Sequence, residues 1–167
     1  MIAVLSDTHA TADPSLTDAI RDALDRAAVT IHAGDFTTPA VLDAFAAATD
    51  RLVAVAGNRD SAGVRERVPD VATVDALDRR VLVVHGHDHD RTKLSLLARQ
   101  EGADVVVVGH THRPAMERIG SVAVLNPGSH ADPRGNRPAY ATIRQSGAGV
   151  VGQLRTPDGA AFETGDL

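Results

Sequence analysis

The run Asp104-Val-Val-Val-Val108, broken by Gly109 and followed by His110-Thr111-His112, constrains this chain more than any other stretch. Four consecutive β-branched residues favour extended backbone, and with no polar alternation they read as a strand buried on both faces. Glycine ends the strand, and two imidazoles one residue apart follow on the connecting loop. Loops at the carboxyl ends of buried strands are where α/β proteins place ligands and chemistry. The same design occurs four times upstream. Ile2–Ser6 runs into Asp7-Thr8-His9, Val29–Ala33 into Gly34-Asp35, Arg51–Ala56 into Gly57-Asn58-Arg59-Asp60, and Val81–Val84 into His85-Gly86-His87. Taken singly, each cluster has an ordinary reading as a polar loop or an Asx turn. Five in series, each directly after a hydrophobic strand, describe a metal site assembled from strand ends.

The segments between these strands fit that architecture. Ser15 with Asp18 resembles a capping box, and Leu16, Ala19, Ile20, Ala23, Leu24 and Ala27 then keep helical spacing. Thr38-Pro39 supplies an N-cap and a first-turn proline for a second helix, with Val41, Leu42, Phe45 and Ala46 on its apolar face. Strand–helix–strand alternation implies right-handed crossovers and parallel pairing. Residues 60–70 lack a clean period and predict a short helix or a loop. Thr73–Leu77, a turn at Asp78-Arg79, and Arg80–Val84 read as a hairpin. A helix around Thr92–Gln100 ends at Gly102, and a further strand, Ser121–Leu125, runs into the sharp turn Asn126-Pro127-Gly128-Ser129. Ala139–Arg144 and Gly149–Arg155 predict a closing antiparallel pair, with a short strand or a frayed tail after Thr156.

With 167 residues and no linker or internal repeat, a single domain over 1–167 is the expectation. Aromatic residues make up 2% of the chain, with no Trp and a single Tyr, which argues against base-stacking platforms for nucleic acid. A net charge of -5 gives no electrostatic footprint for nucleic acid or an anionic membrane, so no stable nucleic-acid partner is expected. The absence of cysteine removes disulfides, thiolate zinc sites and a thiol nucleophile. The amino terminus enters a strand without the basic and apolar regions of a signal peptide, and no apolar run approaches the ~20 residues that span a bilayer. A cytoplasmic protein without a membrane partner is the expectation; homo-oligomer formation is left open.

The strand-end clusters offer nitrogen and oxygen ligands only, including carboxylates and an amide. Such a set suits Mn²⁺, Fe²⁺, Ni²⁺, Co²⁺ or Zn²⁺ better than Cu(I) or a thiolate-bound structural zinc. Seven candidates, Asp7, His9, Asp35, Asn58, His85, His110 and His112, exceed the needs of one ion with open positions. Two ions about 3.5–4 Å apart sharing a carboxylate account for the number, and such a pair clamps the attacking and leaving oxygens in phosphoryl transfer.

These motifs together, Asp7-x-His9, Gly34-Asp35, Gly57-Asn58-x-Asp60, His85-Gly86-His87 and Gly109-His110-x-His112, resemble the calcineurin-like metallophosphoesterase signature. Their order and spacing are most similar to the small bacterial and archaeal YfcE-like phosphodiesterases, and the similarity extends to the Asn126–Ser129 turn. The resemblance implies an α/β fold of two sheets in a sandwich flanked by helices. It implies a first metal held by Asp7, His9 and His112, a second held by Asn58, His85 and His110, and Asp35 as the bridge. The activity it implies is hydrolysis of a small-molecule phosphodiester by two divalent ions, Mn²⁺ first, with a bridging hydroxide attacking phosphorus in line. A phosphomonoesterase or nucleotidase is the alternative, as is a non-catalytic scaffold of the same fold, like the eukaryotic retromer subunit that has lost key ligands.

One departure concerns the leaving group. Many superfamily members carry a histidine after the Gly-Asn pair; here that position is Arg59, which stays protonated and suits a phosphate oxygen better than proton donation. Asn58, Arg59 and His87 are the candidates for a direct part in the reaction. Other cations able to reach the pocket are Arg91 and, further along the chain, Arg113 or Arg134. His32 reads as a packed histidine rather than a ligand. His87 and His89 fit either a phosphate contact or a solvated loop, and His130 reads as lying away from the mouth.

Overall fold

The computed structural model describes residues 1–147 and 149–167. Eleven strands and four helices are described, in the order β1 Ile2–Leu5, α1 Asp18–Asp25, β2 Val29–His32, α2 Pro39–Ala47, β3 Leu52–Ala54, α3 Ala62–Arg65, β4 Val71–Ala76 and β5 Arg79–Val84. There follow α4 Arg91–Glu101, β6 Val105–Val107, β7 Ala115–Ile119, β8 Val122–Asn126, β9 Tyr140–Ser146, β10 Gly149–Arg155 and β11 Ala161–Asp166. They form a six-stranded sheet in the order β11-β10-β9-β1-β2-β3 and a five-stranded sheet in the order β4-β5-β6-β8-β7. β1, β2 and β3 pair in parallel, as do β5, β6 and β8, while the outer strands close each sheet antiparallel.

The unbroken apolar runs are explained by burial on both faces. Ile2 and Val4 point into the space between the sheets with Val81, Val83, Val105 and Val107. Their neighbours Ala3 and Leu5 face outward beneath α1 and α2, whereas Leu82, Val84 and Val106 pack outward beneath α4. The result is the expected two-sheet sandwich with helices on its outer faces. No helix among the described residues is long and apolar enough to cross a membrane.

Several boundaries differ from the sequence reading. The cap of α1 is Thr17, whose hydroxyl accepts from Ile20 N, rather than Ser15; Ser15 sits at φ 55 with its amide on Asp13 Oδ1. The hairpin turns at Leu77 and Asp78, both with positive φ, one residue earlier than expected. That is the conformation whose twist matches a two-residue hairpin. β7 is an edge strand that the sequence does not announce, because Pro114 precedes it and its residues are half-buried or exposed. The tail forms β11, paired along β10 with an irregularity at Leu154/Arg155.

Candidate metal centre

Parallel pairing within each sheet brings the ends of β1, β2, β3, β5 and β6 to one rim of the sandwich. All seven candidate ligands meet there. Asp7, Asp35, His85 and His112 form a buried floor, while Asn58 and His110 are exposed at the edge. The backbone is strained to achieve this: Asp7, His9, Asp35, His110 and His112 have φ of 53, 46, 61, 67 and 57. Non-glycine residues in this region cost about 1–3 kcal/mol each and concentrate at functional sites.

Close approach of the loops depends on two glycines. A Cβ on Gly57 would lie 2.1 Å from Asp35 Oδ1, and one on Gly109 would lie 2.8 Å from Asp7 Oδ2. Asp60 ties the β2 and β3 loops together. Its Oδ2 accepts from Asp35 N at 3.0 Å and Gly57 N at 2.7 Å, and its Oδ1 accepts from Thr37 N at 2.7 Å. The sequence shows Asp60 within its cluster without indicating this positioning role.

The donor atoms converge in two groups. Those of Asp7, His9 and His112 lie within 4.8 Å of one another, as do those of Asp7, Asp35 and His85. His9 Nε2 is 3.2 Å from His112 Nε2 and 3.2 Å from Asp35 Oδ2, and His112 Nε2 is 3.4 Å from Asp7 Oδ1. On the other side, His85 Nε2 is 3.3 Å from the same Asp35 oxygen and 3.0 Å from Asn58 Oδ1. His110 Nδ1 completes that side, 3.2 Å from Asn58 Oδ1.

Divalent ions fit this arrangement. Donors at about 2.1 Å from an ion stand roughly 3.0–3.4 Å from one another in octahedral or tetrahedral coordination, which is the spacing found here. His85 donates Nδ1–H to the Ala33 carbonyl at 2.7 Å, and His112 donates Nδ1–H to the Asp132 carbonyl. Each ring is thereby oriented with the Nε2 lone pair facing the centre, the usual outer support of a metal-bound histidine. The Nε2 of His85 then faces two acceptor oxygens, an arrangement that calls for a cation or a proton between them.

The electrostatics agree. Burial raises the Asp35 carboxyl, but its contacts with His85 and His9, the His85 charge and the Arg59 amide outweigh that and hold it far below the ordinary carboxylate range. Burial raises Asp7 above its usual value despite His85, Ser6 and His112. Burial lowers His85, yet the Asp35 contact and charge raise it overall. Burial and the neighbouring His85 lower His110.

The remaining candidates divide. Arg59 donates its amide to Asp35 Oδ1 at 2.7 Å, while its guanidinium has no hydrogen bond to a site residue among the described residues. Arg59 thus meets the candidate ligands through its backbone amide. His87 lies at the rim, 5.4 Å from His85 and 6.2 Å from His110 between ring centroids, with Nε2 3.1 Å from Asp88 Oδ2. Arg91 turns away to Glu117 and the Arg118 carbonyl. His32 is packed as expected, with Phe36 stacked on it at 3.7 Å and Thr8 Oγ1 at 2.9 Å. His130 is buried against the Pro14 carbonyl. Arg134 is the cation that arrives, its Nη2 3.2 Å from His9 Nε2.

A two-sheet α/β sandwich whose strand ends pool carboxylates, imidazoles and an amide around shared donor atoms defines a class, that of metal-dependent phosphoesterase folds. Residues 1–147 match the family model of the calcineurin-like phosphoesterase superfamily domain, and the chain belongs to that superfamily. Membership implies divalent metal ions, and the convergent side chains are candidate ligands for them. A probable metallophosphoesterase of Methanocaldococcus jannaschii is 34% identical over 139 residues, covering 80% of this chain and 70% of that relative. A phosphodiesterase of the same organism is 30% identical over 139 residues, covering 76% of this chain and 82% of its own length. Zinc-complexed Vps29 of Entamoeba histolytica superposes with a TM-score of 0.79 at 21% identity, over 99% of this chain and 98% of that one, a likeness of fold alone.

Proposed function

We propose that this chain is a phosphodiesterase that works with two divalent ions. Asp7, His9, Asp35 and His112 would hold one ion, and Asp35, Asn58, His85 and His110 the other. The observation that carries this reading is the single oxygen Asp35 Oδ2, 3.2 Å from His9 Nε2 on one side and 3.3 Å from His85 Nε2 on the other. When bound, such a pair supplies Lewis acidity toward a phosphoryl oxygen and a nucleophile active near neutral pH. The nitrogen and oxygen donor set favours Mn²⁺, with Fe²⁺, Co²⁺, Ni²⁺ and Zn²⁺ as alternatives.

The protein's own groups do the positioning. Ser6 donates its hydroxyl to Asp7 Oδ2 at 2.7 Å, and the His110 amide donates to Asp7 Oδ1 at 3.1 Å, so this carboxylate is fixed at both oxygens. Asn58 and His110 are exposed over the buried floor, so the ion they would hold lies on the side open to an incoming phosphate. A monoester dianion has more free charge to neutralise than a diester. Arg134 supplies the one guanidinium that touches a candidate ligand among the described residues, which supports the diester. The scaffold alternative has the fold likeness behind it, and the complete donor set weighs against it.

The test is a metal-reconstituted screen of stripped protein against bis(p-nitrophenyl) phosphate and p-nitrophenyl phosphate. The expected outcome is metal-dependent turnover with the diester preferred. A monoester rate far above the diester rate would change the substrate class, and no turnover with ions bound would favour the scaffold.

A further inference from the structure

The turn after β8 does more than end a strand. Asn126 donates Nδ2 to the Gly109 carbonyl at 2.8 Å and to Thr111 Oγ1 at 2.9 Å, clamping the His110–His112 loop. Ser129 donates Oγ to the Asp7 carbonyl at 2.6 Å and accepts from the Asp132 amide at 2.8 Å. Asp132 receives His112 Nδ1–H on its carbonyl and Arg134 Nε–H on Oδ2 at 3.0 Å. Arg134 itself stands at φ 48 and extends Nη2 to His9 Nε2. One loop thus orients a candidate ligand and delivers a half-exposed guanidinium to another.

His9 Nε2 has three neighbours at 3.2 Å: His112 Nε2, Asp35 Oδ2 and Arg134 Nη2. A guanidinium can only donate, so in the tautomer that bonds Arg134 the His9 Nε2 carries the lone pair that a metal ion would need, while in the other tautomer it donates to Asp35 Oδ2. Asp132 holds Nε, and Nη1 has no hydrogen-bond partner among the described residues. A fork with one arm pinned and two amino groups at the mouth suits a tetrahedral oxyanion.

We propose that Arg134 has two linked roles: it caps His9 until an ion arrives, then serves as the cation that binds a phosphoryl oxygen of the substrate. The proposal rests on the dinuclear reading of the site. It predicts opposite effects on two ligands, which a purely structural residue would not produce. Replacing Arg134 removes a competitor for the His9 lone pair and a positive charge beside the ions, so metal binding tightens. The same replacement removes a charge-assisted donor, so phosphate binding weakens.

The experiment is calorimetry on wild type, Arg134→Ala and Arg134→Lys. Stripped protein is titrated with Mn²⁺, and Mn²⁺-loaded protein with inorganic phosphate. In Arg134→Ala, Mn²⁺ affinity is expected to rise several-fold and phosphate affinity to fall about 10- to 100-fold, the span of a charged hydrogen bond. Arg134→Lys keeps the charge without the fork and is expected to fall between the two. The diester KM is expected to rise in Arg134→Ala by more than kcat falls. Unchanged phosphate affinity, or weaker Mn²⁺ binding in Arg134→Ala, overturns the proposal while leaving the dinuclear reading intact. Uptake of fewer than two ions by wild type overturns the dinuclear reading and this proposal with it.

Discussion

Asp60→Asn removes one charge and moves no atom, and its cost can be worked out from three hydrogen bonds. The buried carboxylate accepts from two backbone N–H groups on Oδ2 and one on Oδ1. An asparagine loses least by placing its carbonyl oxygen at the Oδ2 position, which keeps the Asp35 and Gly57 amides bonded. Its NH₂ then faces the Thr37 amide, donor against donor. A buried donor left unsatisfied costs about 1–3 kcal/mol. Losing the charge that strengthens the other two bonds adds roughly 0.5–1 kcal/mol each. The sum is about 2–5 kcal/mol, or a fall in Tm of about 5–15 °C for a domain of this size. Asp35 and Thr37 hold φ of 61 and 88, so the loop bearing the central carboxylate has little reason to keep its shape once released. Thermal unfolding of the stripped variant beside wild type is the assay, with exposed Asp22→Asn as control. A Tm within about 2 °C of wild type would refute the claim that Asp60 holds the two loops together.

Gly57→Ala sets a methyl 2.1 Å from Asp35 Oδ1 and is expected to cost about 3 kcal/mol as an overpacked site, with loss of Mn²⁺ uptake by calorimetry; normal uptake would show that the loop yields. Burial holds His32 and His130 well below the ordinary histidine range and below it, respectively, so the unfolded chain binds protons that the folded chain refuses. Their stabilisation is complete above about pH 6.5 and is lost as pH falls, by up to about 1.4 kcal/mol per pH unit for each ring. His32→Phe is expected to flatten the stability–pH slope below that point by one proton, and an unchanged slope in denaturant titrations would contradict the assignment. No side-chain acid occupies the position after Asn58, and such an acid typically contributes ~10²–10⁴-fold. Log rate is therefore expected to fall steeply with leaving-group pKa, equally in wild type and His87→Ala. A shallow slope that steepens in His87→Ala would make His87 the acid.

The strand-end clusters were legible because burial on both faces removes polar alternation, so each polar residue after a valine-rich run stands out. The alternation of Ile2 and Val4 toward one layer with Ala3 and Leu5 toward another leaves no mark in such a run, and the second sheet followed from family resemblance instead. Cap and turn positions moved by one or two residues because Thr17 caps a helix as readily as Ser15 and because Leu77 takes a positive φ that its type does not announce. Arg59, adjacent to Asn58, bonds Asp35 through its amide, as its place in the cluster allows. Arg134, 125 residues from His9 in sequence, also reaches a candidate ligand, because a loop pinned by Asn126, Ser129 and Asp132 carries it there. Proximity in sequence says little about a long side chain on a loop of positive-φ residues.

If two divalent ions sharing Asp35 make this chain a phosphodiesterase, turnover must follow their occupancy. The most direct measurement follows bis(p-nitrophenyl) phosphate hydrolysis as stripped protein receives Mn²⁺ in known equivalents, with bound metal determined at each step. Expected are no turnover without metal, a rise that reaches its plateau at two bound ions per chain, and loss of the second equivalent in Asp35→Asn. A plateau at one bound ion, or two tight ions with no turnover, would contradict that assignment.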